Sequence, residues 1–266
     1  RRNKKVESFN IGLVADAQYA QKDPNIGRYY RNALNKLKSY QNAFITARTD
    51  FIVHLGDFID HADTPPEGEM LIREAMEALE CGGIPVHYLM GNHDIGSVPA
   101  ERLAKLWRYP NGSMYYAFIH KAVKFILLNT NYNRNGIMYR PDEIVWNDVY
   151  INQEQIDWLA RELAESEEER IIIFSHALLD DFADPHAVKN GADVRAVLES
   201  SNKQIVVFQG HMHRGRESET GGIPYYTLKA TVDGETDFCY WLLTISCQDI
   251  TAREFTNAGV RNIVIK

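Results

Sequence analysis

Five apolar segments of this chain each stop at an oxygen or nitrogen donor, and that recurrence restricts the fold more than any other feature. The segments are Ser8–Ala15, Phe51–Leu55, Pro85–Met90, Arg170–Phe174 and Gln204–Phe208. They close on Asp16-Ala17-Gln18, Gly56-Asp57, Gly91-Asn92-His93-Asp94, Ser175-His176 and Gly210-His211-Met212-His213. Short runs rich in Val, Ile and Phe, bounded by Gly or turn residues, read as buried strands. A donor at the carboxyl end of a buried strand sits where open α/β sheets place their ligands. One Asp- or His-containing turn is common, since such residues favour turns and caps. Five in succession point to one shared site.

The intervening sequence alternates with these strands. A helix is expected from about Arg28 to Thr49, with Tyr30, Ala33, Leu34, Leu37, Phe44 and Ala47 on one face. Pro65-Pro66 opens a second helix, which stops at Gly82-Gly83. A short helical stretch lies near Ala100–Leu106, and two antiparallel strands turn at Lys121-Ala122. Asn152, with Gln155 three residues on, caps another helix. A further helix runs to Ser200, and beyond Ile223 strands alternate with turns. Neither a repeat nor a linker interrupts residues 1–266, which read as a single domain. Residues 131–151 are polar and aromatic without periodicity, and a loop of that length in a compact domain points to function.

Composition narrows the partners. Hydrophobic residues make up 45% and charged residues 24% of the 266, as in ordinary globular enzymes. A net charge of −7 implies no basic face for a nucleic-acid backbone, so no nucleic-acid partner is expected. An anionic small-molecule substrate stays open, because bound cations supply positive charge locally. No apolar run is long enough to span a membrane. Three scattered cysteines, Cys81, Cys239 and Cys247, do not make a disulfide framework and favour a reducing, cytoplasmic setting. The start Arg1-Arg2-Asn3-Lys4-Lys5 reads as trimmed, which leaves a secreted or periplasmic location compatible.

The five donor motifs, in their order, resemble the blocks D-x-H, G-D, G-N-H-[DE], x-H and G-H-x-H of the calcineurin-like metallophosphoesterase family. The resemblance implies a four-layer α/β/β/α sandwich with two mixed sheets and a dimetal centre at the strand ends. By motif position, Asp16, Gln18, Asp57 and His213 would hold one divalent ion, and Asp57, Asn92, His176 and His211 the other. It implies hydrolysis by in-line attack of a metal-bridging hydroxide on phosphorus. His93 would act at the leaving group or a phosphoryl oxygen rather than as a ligand, with Asp94 orienting its ring.

One position departs from the pattern: Gln18 stands where most of the family has His. An amide oxygen is a harder donor than imidazole and moves the preference from Zn²⁺ towards Mn²⁺ or Mg²⁺, with Fe also compatible. This D-x-Q variant resembles a narrower group, the Mn-dependent ADP-ribose/CDP-alcohol diphosphatases. Arg28-Tyr29-Tyr30-Arg31, Gln153-Glu154-Gln155 before Trp158-Leu159, and Gly210-His211-Met212-His213 resemble it too. The implied substrate is a nucleotide-derived diphosphate or phosphodiester. A phosphomonoesterase, a phosphoprotein phosphatase or a cyclic-nucleotide phosphodiesterase is the alternative on the same centre, and a non-catalytic scaffold comes last.

Other polar residues have plainer readings. Arg28 and Tyr29 are candidates for substrate phosphate, although a solvated helix start explains them as well. Asp60 and His61 divide between supporting the site and capping a turn. His54 and His87 read as interior residues, and His120 and His186 as surface or loop residues. Tyr132, Tyr139 and Trp146 are expected to pack the long loop, with stacking on a nucleobase as their other use.

Overall fold

Alternate residues along the apolar strands face two different cores, which is why those strands read as continuous apolar runs. The computed structural model describes residues 7–181 and 183–265; the basic start at Arg1–Lys5, read above as trimmed, lies outside them. One six-stranded sheet contains β1 (Phe9–Val14), β2 (Thr49–His54), β3 (Val86–Tyr88), β10 (Cys239–Ile245), β11 (Ile250–Thr256) and β12 (Gly259–Ile265). Its order is β12-β11-β10-β1-β2-β3. The other contains β4 (Tyr116–His120), β5 (Val123–Leu127), β6 (Arg170–Ser175), β7 (Gln204–Gln209), β8 (Arg214–Thr220) and β9 (Ile223–Lys229). Its order is β4-β5-β6-β7-β9-β8. Both sheets are mixed: β1–β2–β3 and β5–β6–β7–β9 run parallel, and the remaining pairs antiparallel.

Between the sheets, Ile11 and Leu13 of β1 and Phe51 and Val53 of β2 meet Phe125, Ile172, Phe174, Val206 and Phe208. The intervening residues point outwards under helices. Val14 and Ile52 pack beneath α1 (Ala33–Thr46) and α2 (Pro65–Glu80), through Leu37, Tyr40, Phe44, Leu71 and Leu79. Ile171, Ile173 and Val207 pack beneath α5 (Gln153–Glu165) and α6 (Gly191–Ser200), through Ile156, Leu159, Val194 and Leu198. The layers are therefore helix, sheet, sheet, helix. Gly12 sets the approach of α1, since a Cβ there would stand 2.7 Å from the Phe44 ring.

Three expectations shift. The helix expected from Arg28 begins at Ala33, after one 3₁₀ turn at Tyr30–Asn32, and ends at Thr46. Its intended first residues are held elsewhere: Tyr29 N–H donates to Val232 O at 2.9 Å, and Arg28 bridges Asp233. Arg48 turns the chain with φ of 52°, and Thr49 already belongs to β2. A short helix, α3 (Asn92–Ser97), starts inside the Gly91-Asn92-His93-Asp94 motif; α4 (Ala100–Leu106) follows it. Strand β8 lies outside the expected set, because Arg214–Thr220 has no apolar alternation.

Candidate metal centre

The donor residues leave their strands through strained turns. Asp16, Gln18, Asp57 and His211 adopt φ of 50°, 41°, 52° and 69°, a left-handed conformation uncommon outside glycine. Each such residue costs on the order of 1–3 kcal/mol, and such strain clusters at functional sites. The turns are held by backbone bonds across neighbouring strand ends. Asp16 N–H donates to Gly56 O, Gln18 N–H to Asp57 O, and Gly210 N–H to His176 O. Gly91 lets the third turn close, since a Cβ there would lie 2.1 Å from Asp57 N and Oδ1.

The seven donors converge. Asp57 is fully buried at the middle: its Oδ1 lies 3.4 Å from His176 Nε2, and its Oδ2 3.3 Å from Gln18 Nε2. On one side of it stand Asp16, Gln18 and His213, with His213 Nε2 3.9 Å from Asp16 Oδ1 and 3.3 Å from the Gln18 amide. On the other stand Asn92, His176 and His211, with His176 Nε2 3.1 Å from Asn92 Oδ1. Donor atoms of Asp57, His176 and His211 all lie within 4.8 Å of one another.

Surrounding groups fix how the rings present. His176 Nδ1 lies 2.9 Å from Leu55 O and His213 Nδ1 3.0 Å from Asp233 Oδ1, so each turns Nε2 to the centre. Lys36 steadies the Asp233 segment by donating to the carbonyls of Thr231, Asp233 and Gly234.

Charge within the cluster is unbalanced. Burial pushes the Asp16 carboxyl up to about 6, against the pull of His176 and His213. Asp57 is held well below the carboxylate range; burial opposes this, and the adjacent His176 and His93 prevail. His176 is raised to about 9: burial pulls it down, but the charge and hydrogen bond of Asp57, the charge of Asp16 and the Leu55 carbonyl together prevail. Two buried atoms at the centre, Gln18 Oε1 and His211 Nε2, have no hydrogen-bond partner. Buried polar atoms are normally satisfied. Carboxylate, amide and imidazole donors around the orphaned His211 Nε2 would fit a pair of divalent cations, one for the donor set on each side of Asp57. Gln18 presents its nitrogen to Asp57 and His213, so a half-turn of the amide is needed to offer oxygen instead.

His93 stands apart from the ligand cluster. Its Nδ1 lies 2.9 Å from Asp60 Oδ1, and its Nε2 4.0 Å from Asp57 Oδ2. The partner is therefore Asp60, and the expectation that Asp94 orients this ring is corrected. Asp94 has both oxygens committed to backbone: Oδ1 accepts from Phe58 and Ile59 N–H, and Oδ2 from Gly91 N–H. It is a buried clasp at the start of α3, joining two of the donor turns. Asp94→Asn would set an amide N–H₂ against a backbone N–H, and an unsatisfied buried group costs about 1–3 kcal/mol. Urea unfolding of that variant is expected to show a loss of this size, and unchanged stability would remove the clasp role.

Among the substrate candidates, Arg28 and Tyr29 are half-buried. Their backbone is committed to Val232 and Asp233, which places them beside the His213 side of the centre. Lys22, which the sequence reading passed over, forms an ion pair with Asp60 and lies over the Tyr30 ring.

The two mixed sheets under helices and the donors at their strand ends define a metal-dependent phosphoesterase. Residues 9–215 match the family model described as Calcineurin-like phosphoesterase, and the chain belongs to that family. A rice protein named manganese-dependent ADP-ribose/CDP-alcohol diphosphatase is 24% identical over 269 residues, covering 85% of this chain and 84% of the relative. A Xenopus tropicalis protein of the same name is 27% identical over 290 residues, covering 85% and 84%. Among solved structures, a dimetal phosphatase from Danio rerio superposes with a TM-score of 0.82 at 21% identity, covering 98% of this chain and 100% of that one. A purple acid phosphatase from yellow lupin gives 0.67 at 12% identity, covering 98% of this chain and 54% of its own. Those two likenesses are of fold.

Proposed function

We propose that this chain hydrolyses the diphosphate bond of a nucleoside diphosphate bearing a second alcohol or sugar, of the ADP-ribose or CDP-alcohol type, with manganese as its metal. Gln18 carries the reading: the one departure from the family pattern stands at the centre, facing Asp57 and His213. Its harder amide donor suits Mn²⁺ better than Zn²⁺. Relatives named for that activity match over most of both chains, which supports the substrate class.

In this reading Asp16, Gln18, Asp57 and His213 hold one ion, and Asp57, Asn92, His176 and His211 the other. When bound, such a pair neutralises phosphoryl charge and makes water a nucleophile near neutral pH. The chain's own part is orientation and proton supply. Asp57 is fixed by His93 N–H, which donates to its Oδ1 at 2.9 Å. His93 gives its Nδ1 proton to a hydrogen bond with Asp60 and turns Nε2 inwards, where it donates to the departing oxygen. The Asp60 carboxylate fixes the orientation of the ring.

Product analysis tests the proposal. With Mn²⁺, the purified protein meets ADP-ribose, CDP-choline, a cyclic nucleotide, bis-p-nitrophenyl phosphate and p-nitrophenyl phosphate. Release of nucleoside monophosphate from the first two at the highest kcat/KM is the expected result. Strong turnover of the monoester alone would reassign the substrate.

A further inference from the structure

The long loop places one exposed indole beside the metal centre. Of its three candidate aromatics, Tyr132 and Tyr139 are 5% and 9% exposed and pack the loop onto the body, whereas Trp146 is 43% exposed. The Trp146 ring lies 5.8 Å from the His211 ring and 5.3 Å from that of His186. His186, a loop residue as expected, lies 5.1 Å from His211. It is held by Asp184, which meets both its Nδ1 and its backbone N–H.

The loop is fastened on either side of the indole. Asp142 N–H donates to Gly96 O, Tyr139 Oη to Asp148 O, Asp148 N–H to Val145 O, and Lys189 N–H to Val149 O. A single exposed apolar residue normally needs no explanation. A tryptophan held by a fastened loop within ring contact of a metal-site histidine does, because it sets a partly exposed flat ring beside the centre.

We propose that Trp146, flanked by the Asp184-held His186, is the platform on which the nucleobase of the substrate stacks, on the Asn92–His176–His211 side of the centre. This rests on the nucleotide reading above. A flat indole face stacks on any base with little regard to sequence, so the platform grips adenine and cytosine alike. Specificity for nucleotides over ringless phosphates then comes from Trp146, and the choice between them does not.

Steady-state kinetics with Mn²⁺ test it. Trp146→Ala is expected to raise KM for ADP-ribose and CDP-choline by roughly tenfold, with kcat held within about twofold because the stacked base lies away from the reacting atoms. AMP should weaken as a competitive inhibitor by the same factor, ribose 5-phosphate should not, and Trp146→Phe should restore most of the loss. Equal weakening of AMP and ribose 5-phosphate, or of neither, overturns the platform. If the wild-type protein hydrolyses no nucleotide diphosphate, the functional reading fails, and tryptophan fluorescence decides the platform separately. Quenching by AMP but not by ribose 5-phosphate, abolished in Trp146→Phe, supports it; quenching that survives in Trp146→Phe sinks it.

Discussion

His93→Ala is expected to lower turnover by about a hundred- to ten-thousandfold while the protein keeps its full complement of metal. The geometry separates those two outcomes. His93 Nε2 is 4.0 Å from Asp57 and its Nδ1 is committed to Asp60, so in the proposed reading its removal takes away a proton donor and no ligand. Its ring is 26% exposed, which lets the truncated site fill with water without a buried void. Asp60→Asn is the companion variant. The amide can still accept from Nδ1–H, but the stronger carboxylate hydrogen bond that orients the ring is gone, and a loss of roughly tenfold or more is expected. Elemental analysis beside kcat checks both. Metal lost from His93→Ala would make His93 a ligand and undo the proton-donor role; full activity in Asp60→Asn would leave Asp60 a turn residue that happens to lie near.

Much of the fold is legible in the sequence because each central strand is buried on both faces. Ile171, Ile172, Ile173 and Phe174 alternate between the outer helices and the inner core, so the run is apolar in both directions. Strand β8 hides because it stands at a sheet edge. There Arg216 pairs with Asp180 and Asp181 at 3.1 and 3.0 Å, Ser218 pairs with Asp180, and charge along an exposed edge deters further strand pairing. The overlong first helix has a related cause. Arg28 closes a local turn with Asn25 through two backbone hydrogen bonds, and the bonds of Arg28 and Tyr29 to Asp233 and Val232, two hundred residues away along the chain, complete their hold outside the helix.

The centre divides the same way. Its donors are legible because each follows an apolar strand, and strand ends of parallel sheets converge by topology alone. The groups that position them are not. Asp233 on His213 and Lys36 beneath Asp233 come from distant segments with no motif of their own. Asp60 carries a faint signal, three residues after Asp57, yet a turn residue has the same appearance in sequence. Asp94 misleads for a physical reason: it adjoins His93 in the chain, but at the third position of α3 its carboxylate reaches back to cap Gly91 N–H rather than forward to the ring. Adjacency along the chain and adjacency in space part at a helix start.

Asp57→Asn should remove most of the metal-dependent part of both activity and stability. A ligand bound at a hundred times its dissociation constant stabilises the folded state by about 2.7 kcal/mol. At roughly 2–4 °C per kcal/mol for a domain of this size, saturating Mn²⁺ is expected to raise Tm of the native protein by about 5–10 °C over chelated protein. Asp57 is the anion between the two donor sets, 3.4 Å from His176 on one side and 3.3 Å from Gln18 on the other. An asparagine of the same shape would remove the charge that a pair of cations held by those two sets would need. Metal stoichiometry should fall to one ion or fewer per chain, the thermal shift should shrink to a small remainder, and turnover should fall steeply, because a two-metal centre acts as a clamp that needs both ions. A variant that keeps two ions and the full thermal shift would show that the donors act as independent sites, with Asp57 serving only to hold the His93 backbone and His176.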